Sequence, residues 1–211
     1  MPIVPGECDA LVVVDVQNDF LPGGALAVPD GDAVIAPINA LARRFARVIV
    51  TQDWHPAAHV SFAASHPGRR PFDTVTLPYG EQVLWPDHCV QDTPGAALAD
   101  GLRVPHAALV IRKGHHRAID SYSAFLEADR RTRTGLAGYL RERGITRLFV
   151  AGLATDYCVA WTALDGRAAG FETSVIEDAA RGIDLDGSLD RSWGEMAAAG
   201  VGRIRAADIA G

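Results

Sequence analysis

Arg147-Leu-Phe-Val-Ala-Gly-Leu-Ala-Thr-Asp-Tyr-Cys-Val-Ala-Trp-Thr-Ala-Leu-Asp165 is the stretch whose reading decides the fold. Leu148 to Val150 form a short apolar run of the kind a covered strand carries. A glycine-containing turn follows, and then a helix that the pattern starts near Thr155, with Cys158 in its first turn. A strand feeding a helix in this way is half of a βαβ unit. The placement of the sulfur also matters chemically, because unpaired N–H groups and partial positive charge at a helix N-terminus stabilise a thiolate. Taken alone, the stretch fits an ordinary buried cysteine equally well.

Working outward, the same alternation recurs. Ala10 to Val16 is an almost unbroken β-branched run that carries Asp15 at its C-terminal end. Ala33 to Arg44 has helical spacing, and Val48 to Asp53 is a second apolar strand ending in a carboxylate. Ala107 to Lys113 is a third, ending in a lysine; Leu136 to Arg143 is a helix closed by Gly144. Phe171 to Ile176, Leu189 to Ala199 and Val201 to Ile204 continue as strand, helix and strand. Near-continuous apolar strands separated by helices imply right-handed crossovers and a parallel sheet covered on both faces. The expected fold is therefore α/β: three αβα layers around a mostly parallel six-stranded sheet, in one domain over residues 1–211. Open sheets of this kind bind ligands at the carboxyl ends of their strands, where Asp15, Asp53, Lys113 and the turn before Cys158 all fall.

The 211 residues have a net charge of −6 and no block of Lys or Arg, which argues against a nucleic-acid or anionic-membrane partner. No apolar run reaches the roughly 18 residues needed to span a bilayer, and no basic segment precedes an apolar one at the N-terminus. Three widely spaced cysteines suit a reducing compartment, so a cytoplasmic location is expected. The segment at about 54–106 is rich in Pro and Gly with little periodicity, and is expected to be an irregular, lid-like stretch that a metal could tie to the sheet. It begins within Asp53-Trp-His55 and goes on to His59, His66 and Trp85-Pro-Asp-His88. An Asp-x-His pair at a strand end points both side chains to one side, and a later histidine can complete a set suited to Zn²⁺ or Fe²⁺. A spread of histidines is also a common structural feature, and His115 and His116 read as surface or gating residues.

Five motifs in order carry a resemblance. Val14-Asp-Val-Gln-Asn-Asp-Phe20, Lys113-Gly114 and Gly152-Leu-Ala-Thr-Asp-Tyr-Cys158 resemble the cysteine hydrolases of the isochorismatase-like superfamily. With Gln52-Asp-Trp-His-Pro56 and Trp85-Pro-Asp-His-Cys-Val-Gln91 added, the chain is similar to the nicotinamidase/pyrazinamidase family within it. The resemblance implies a metal-dependent amidohydrolase that converts nicotinamide to nicotinate and ammonia through a thioester and also accepts pyrazinamide. It implies a triad of Asp15, Lys113 and Cys158, and one divalent ion (Zn²⁺, Fe²⁺ or Mn²⁺) on Asp53, His55 and His88. The peptide before Ala154 is expected to be cis, and the Ala154 and Cys158 amides to form an oxyanion hole. Phe20, Leu26, Trp85, Tyr122 and Ala154 are expected to border the substrate. His59 is left outside the ligand set, and the resemblance leaves open whether the chain is a monomer or a homo-oligomer.

Overall fold

A computed structural model describes residues 2–210; the expected domain bounds at 1 and 211 lie outside the described residues. Among the described residues the strands are β1 (Asp9–Val14), β2 (Val48–Asp53), β3 (Thr74–Leu77), β4 (Gly80–Val83), β5 (Leu109–Lys113), β6 (Arg147–Leu153), β7 (Glu172–Arg181) and β8 (Gly202–Ile204). Between them run the helices α1 (Ile35–Ala42), α2 (Leu136–Glu142), α3 (Ala160–Ala168) and α4 (Ser188–Ala198). Six strands form one sheet in the order β5-β2-β1-β6-β7-β8, and every neighbouring pair is parallel.

Alternation along the strands divides the core. Leu11, Val13, Val48, Val50, Phe149 and Ala151 pack on one face with Ile38 and Leu41 of α1. Ala10, Val12, Val14, Ile49, Leu148 and Val150 pack on the other with Leu136 and Leu140 of α2, Ala163 of α3 and Met196 of α4. Both faces are covered, which is why β1 and β2 are buried at every residue. The chain winds outward from β1 to β2 and β5, then crosses to β6 and winds the other way. The order therefore reverses between β1 and β6, and a crevice opens beyond their carboxyl ends.

Several boundaries depart from the sequence reading for local reasons. β1 stops at Val14 because Asp15 turns the chain out of the sheet with φ +48°. The first helix begins as a 3₁₀ turn over Gly31–Val34 before α1. β7 runs five residues beyond Ile176 through a charged stretch, and its register against β6 shifts between Val150 and Gly152. The segment at 54–106 holds the β3–β4 hairpin, whose residues are mostly solvent-facing, so no apolar alternation announced it. Gly152 has φ +119°, and a Cβ there would strike the Val14 backbone; only glycine lets β6 pass this close to the end of β1.

Candidate active site

Four strand ends supply one buried cluster, with Lys113 at its centre. The β2–β5 register sets Asp53 opposite Lys113. Its Nζ lies 2.7 Å from Asp15 Oδ2, donates to Asp53 Oδ1, and donates to the Ser121 carbonyl at 3.1 Å and to Cys158 Sγ at 3.3 Å. Asp15 and Lys113 have no exposed surface. Burial works against the Lys113 ammonium, but the Asp15 and Asp53 carboxylates outweigh it and hold its pKa well above the usual lysine value. Asp15 Oδ1 accepts from Thr51 Oγ1 at 2.5 Å, which fixes the carboxylate plane. Oδ2 has no well-aligned hydrogen-bond donor besides its ion pair with Lys113, and burial together with the Asp53 charge pushes the Asp15 carboxyl up. Such a group can take and return a proton.

Cys158 sits in a single π turn, Thr155–Val159, that leads into α3. Insertions of this kind often occur where a side chain is being aimed. A helix start alone would favour the thiolate, but burial pushes the Cys158 thiol well up, and Asp15 and Asp53 reinforce this against Lys113, which suits a thiol that gives its proton to a base. A helix terminus contributes a partial charge, whereas two nearby carboxylates contribute whole ones. The Leu153–Ala154 peptide is cis, as the resemblance implied.

Asp53, His55 and His88 offer ligand atoms within 4.8 Å of one another. His55 Nδ1 donates to the Gly114 carbonyl at 2.9 Å and His88 Nδ1 to the Pro86 carbonyl at 2.8 Å. Both Nε2 lone pairs are thereby left facing Asp53 Oδ2, at 3.7 and 3.8 Å. Two ligands each about 2.1 Å from one ion stand at most about 4.2 Å apart, so the residues fit a single divalent cation. Burial opposes the Asp53 anion, yet the Lys113 ammonium holds its carboxyl well below the usual range, keeping the charge a cation needs. Gly114 has φ +66°, and a Cβ would collide with the His55 ring; glycine lets its carbonyl reach the imidazole. His59 is buried with Nδ1 on Ser61 Oγ and Nε2 on the His116 and Ile119 carbonyls, so its nitrogens are occupied.

Phe20, Leu26, Trp85, Tyr122 and Ala154 line a narrow cavity that has Cys158 at one side and Asp53, His55 and His88 at another. The cavity wall thus lies beside both the Asp15–Lys113–Cys158 cluster and the Asp53, His55 and His88 set, while His115 and His116 face solvent.

With this geometry in view, the isochorismatase domain family matches residues 9–208. The chain belongs to the isochorismatase family. Its relatives include the nicotinamidase of Acinetobacter baylyi, 58% identical over 200 residues that cover 95% of this chain and 94% of the relative. Among solved structures, the Acinetobacter baumanii nicotinamidase/pyrazinamidase superposes with a TM-score of 0.96 at 59% identity, covering 96% of this chain and 98% of that one. A Pyrococcus horikoshii pyrazinamidase in complex with zinc gives a TM-score of 0.77 at 36% identity, covering 94% and 99%.

This isochorismatase-family site also uses residues the sequence reading passed over. Gln17 is fully buried; its Oε1 accepts from the Asp53 N–H and its Nε2 donates to the Asp53 and Ala96 carbonyls, each at 2.8 Å. Because β1 has already left the sheet, this side-chain amide takes the place of a neighbouring strand for Asp53. Gln82, facing inward from β4, bonds Asp120 Oδ2 at 2.7 Å and the Tyr122 hydroxyl at 2.9 Å, joining the hairpin to the cavity wall. Asp156 accepts from the Ile183 and Asp184 amides and the Ser188 hydroxyl, which sets Ile183 against the same cavity beside Tyr157. Gln17 and Asp156 stood inside quoted motifs and Gln82 in none, and no motif named a partner.

Proposed function

We propose that this protein is a nicotinamidase that hydrolyses nicotinamide to nicotinate and ammonia, and also deamidates pyrazinamide, through a thioester on Cys158. The observation that carries the reading is the Lys113 ammonium touching Asp15, Asp53 and Cys158 at once, which joins an acid–thiol pair to a metal-ligand set in one buried cluster. The high identity to nicotinamidases supports the substrate.

In the proposed reaction Asp15 takes the Cys158 proton while Lys113 stabilises the developing thiolate. The sulfur attacks the carboxamide carbon, and the Ala154 and Cys158 amides hold the oxyanion. Asp15 returns its proton to the departing nitrogen, the C–N bond breaks, and ammonia leaves a thioester behind. Water then gives a proton to Asp15, adds to the thioester carbonyl and releases nicotinate as the thiol re-forms. Phe20, Leu26, Trp85 and Tyr122 clamp the ring so that the carbonyl carbon lies over the sulfur; such positioning supplies several kcal/mol of barrier lowering, on the order of 7–11 at best. Asp53, His55 and His88 would hold a divalent ion, either Zn²⁺ or Fe²⁺ with Mn²⁺ also compatible, which would supply Lewis-acid chemistry toward the ring nitrogen of the substrate.

The whole chain is read as one domain in which the segment at about 54–106 covers the site, supported by its contributing His55, Trp85 and His88. Among the described residues no helix is long and apolar enough to cross a membrane, and the three cysteines are free, which supports the cytosol as its location. The test is ammonia and nicotinate release from nicotinamide before and after chelation, with elemental analysis. Release that chelation abolishes and metal restores is expected; no release from metal-loaded protein overturns the proposal.

A further inference from the structure

The loop after β5 carries a second group of metal-type donors, two of them open to solvent. His115 and His116 are exposed, whereas Glu127 is a carboxylate with 2% of its side chain exposed. His116 Nδ1 lies 2.8 and 2.7 Å from the two Glu127 oxygens. An ion pair would need no third member, yet the His115 ring lies against His116 with centroids 4.2 Å apart and planes at 37°. Ligand atoms of all three residues come within 4.8 Å of one another.

The backbone under these donors is fixed. The His116 carbonyl accepts from His59 Nε2 and from the Ile119 N–H. Gly114, one residue before His115, is held through its carbonyl by His55 Nδ1. On the other side, the Glu127 N–H bonds the Thr132 carbonyl and the Ala128 N–H the Asp120 carbonyl. Donors on restrained backbone, with one buried anion and two open imidazoles, make a preorganised site that an ion can enter from solvent.

We propose that His115, His116 and Glu127 form a second cation site that takes a borderline divalent ion of the Zn²⁺ class and ties the loop after β5 to the turn at Glu127. Two imidazoles and a carboxylate are a three-ligand zinc set, with a fourth position left to water. The ion replaces the Nδ1 proton that His116 donates to Glu127. Reaching the tetrahedral separation from 2.7 Å requires an opening of about 0.7 Å, within reach of a half-exposed imidazole.

The experiment is equilibrium dialysis of the holoenzyme, already carrying one tightly bound ion, against free Zn²⁺ near neutral pH, with thermal unfolding in parallel. A second equivalent per chain and a rise in Tm with Zn²⁺ are expected. In His115→Ala, an exposed position whose loss leaves the fold intact, the second affinity should fall by at least about tenfold and the Tm rise shrink accordingly. Glu127→Gln, which keeps the side-chain shape, should do the same. A wild-type stoichiometry that stays at one ion, or a second ion bound as tightly by His115→Ala, overturns the proposal.

Discussion

The two ends of β1 each carry an aspartate paired with a basic side chain, and they behave in opposite ways. At the start, Asp9 faces Arg147 at the start of β6, and two parallel bonds of 2.8 and 2.7 Å satisfy both carboxylate oxygens. Burial opposes that anion, but Arg147 and the Gly6 N–H hold the Asp9 carboxyl below its usual value. Just past the other end, Asp15 shares one ammonium with Asp53 and a thiol, and its carboxyl is pushed up instead. One base matched to one acid makes a clamp. One base divided between two acids and a sulfur leaves a proton without a settled owner, which is what acid–base chemistry requires.

If that contrast is sound, substitutions at the crowded end should cost rate and those at the matched end only stability. Short of removing the sulfur itself, the largest effect is expected for Asp15→Asn, which keeps the shape but cannot accept the thiol proton; turnover should fall by about 10³- to 10⁴-fold with little change in Tm, measured by ammonia release and thermal unfolding. Lys113→Met should follow with a loss of about 10²- to 10³-fold. It strands two buried carboxylates, so it should also lower stability by about 3–5 kcal/mol in denaturant titration. A Lys113→Met protein as stable as the parent would show that the cluster is not strongly coupled. Gln17→Leu removes the amide that stands in for a strand beside Asp53, and should weaken metal affinity by about 10- to 100-fold in competition with a chelator. The smallest effect on rate is expected for Asp9→Asn: turnover within about twofold of the parent, and stability lower by about 1 kcal/mol at neutral pH.

The sign of that last effect with pH sharpens the contrast further. Asp9 has a folded-state pKa below its ordinary value of 3.8, so its contribution is complete above that value and disappears as pH falls through the folded pKa. The stability gap between the parent and Asp9→Asn should therefore be flat at neutral pH and close in acid.

β1, β2 and β6 were legible because burial on both faces leaves a continuous apolar run, and the ends of β1, β2, β5 and β6 pointed to Asp15, Asp53, Lys113 and the turn before Cys158. What was not legible depends on register and on charge summation. Nothing in the sequence says that Asp53 lies opposite Lys113, yet that pairing couples the metal set to the acid–thiol pair. Gln17 was visible only as a motif letter, since its role depends on β1 ending early at Asp15. The β3–β4 hairpin escaped because its faces are largely wet, with Gln82 as its inward anchor. Nor does the helix start show how the Cys158 thiol is poised, because burial first and then Lys113, Asp15 and Asp53 from other strands set it.

The measurement that bears most directly on the central claim is ammonia release from nicotinamide by Cys158→Ala at a metal content equal to the parent's. The account predicts a loss of at least about 10⁴-fold, with the ion retained, because the group that bonds to the carboxamide carbon is gone. Turnover near the parent's rate in that variant would mean that water attacks the amide directly and that the sulfur at the centre of the cluster is a bystander.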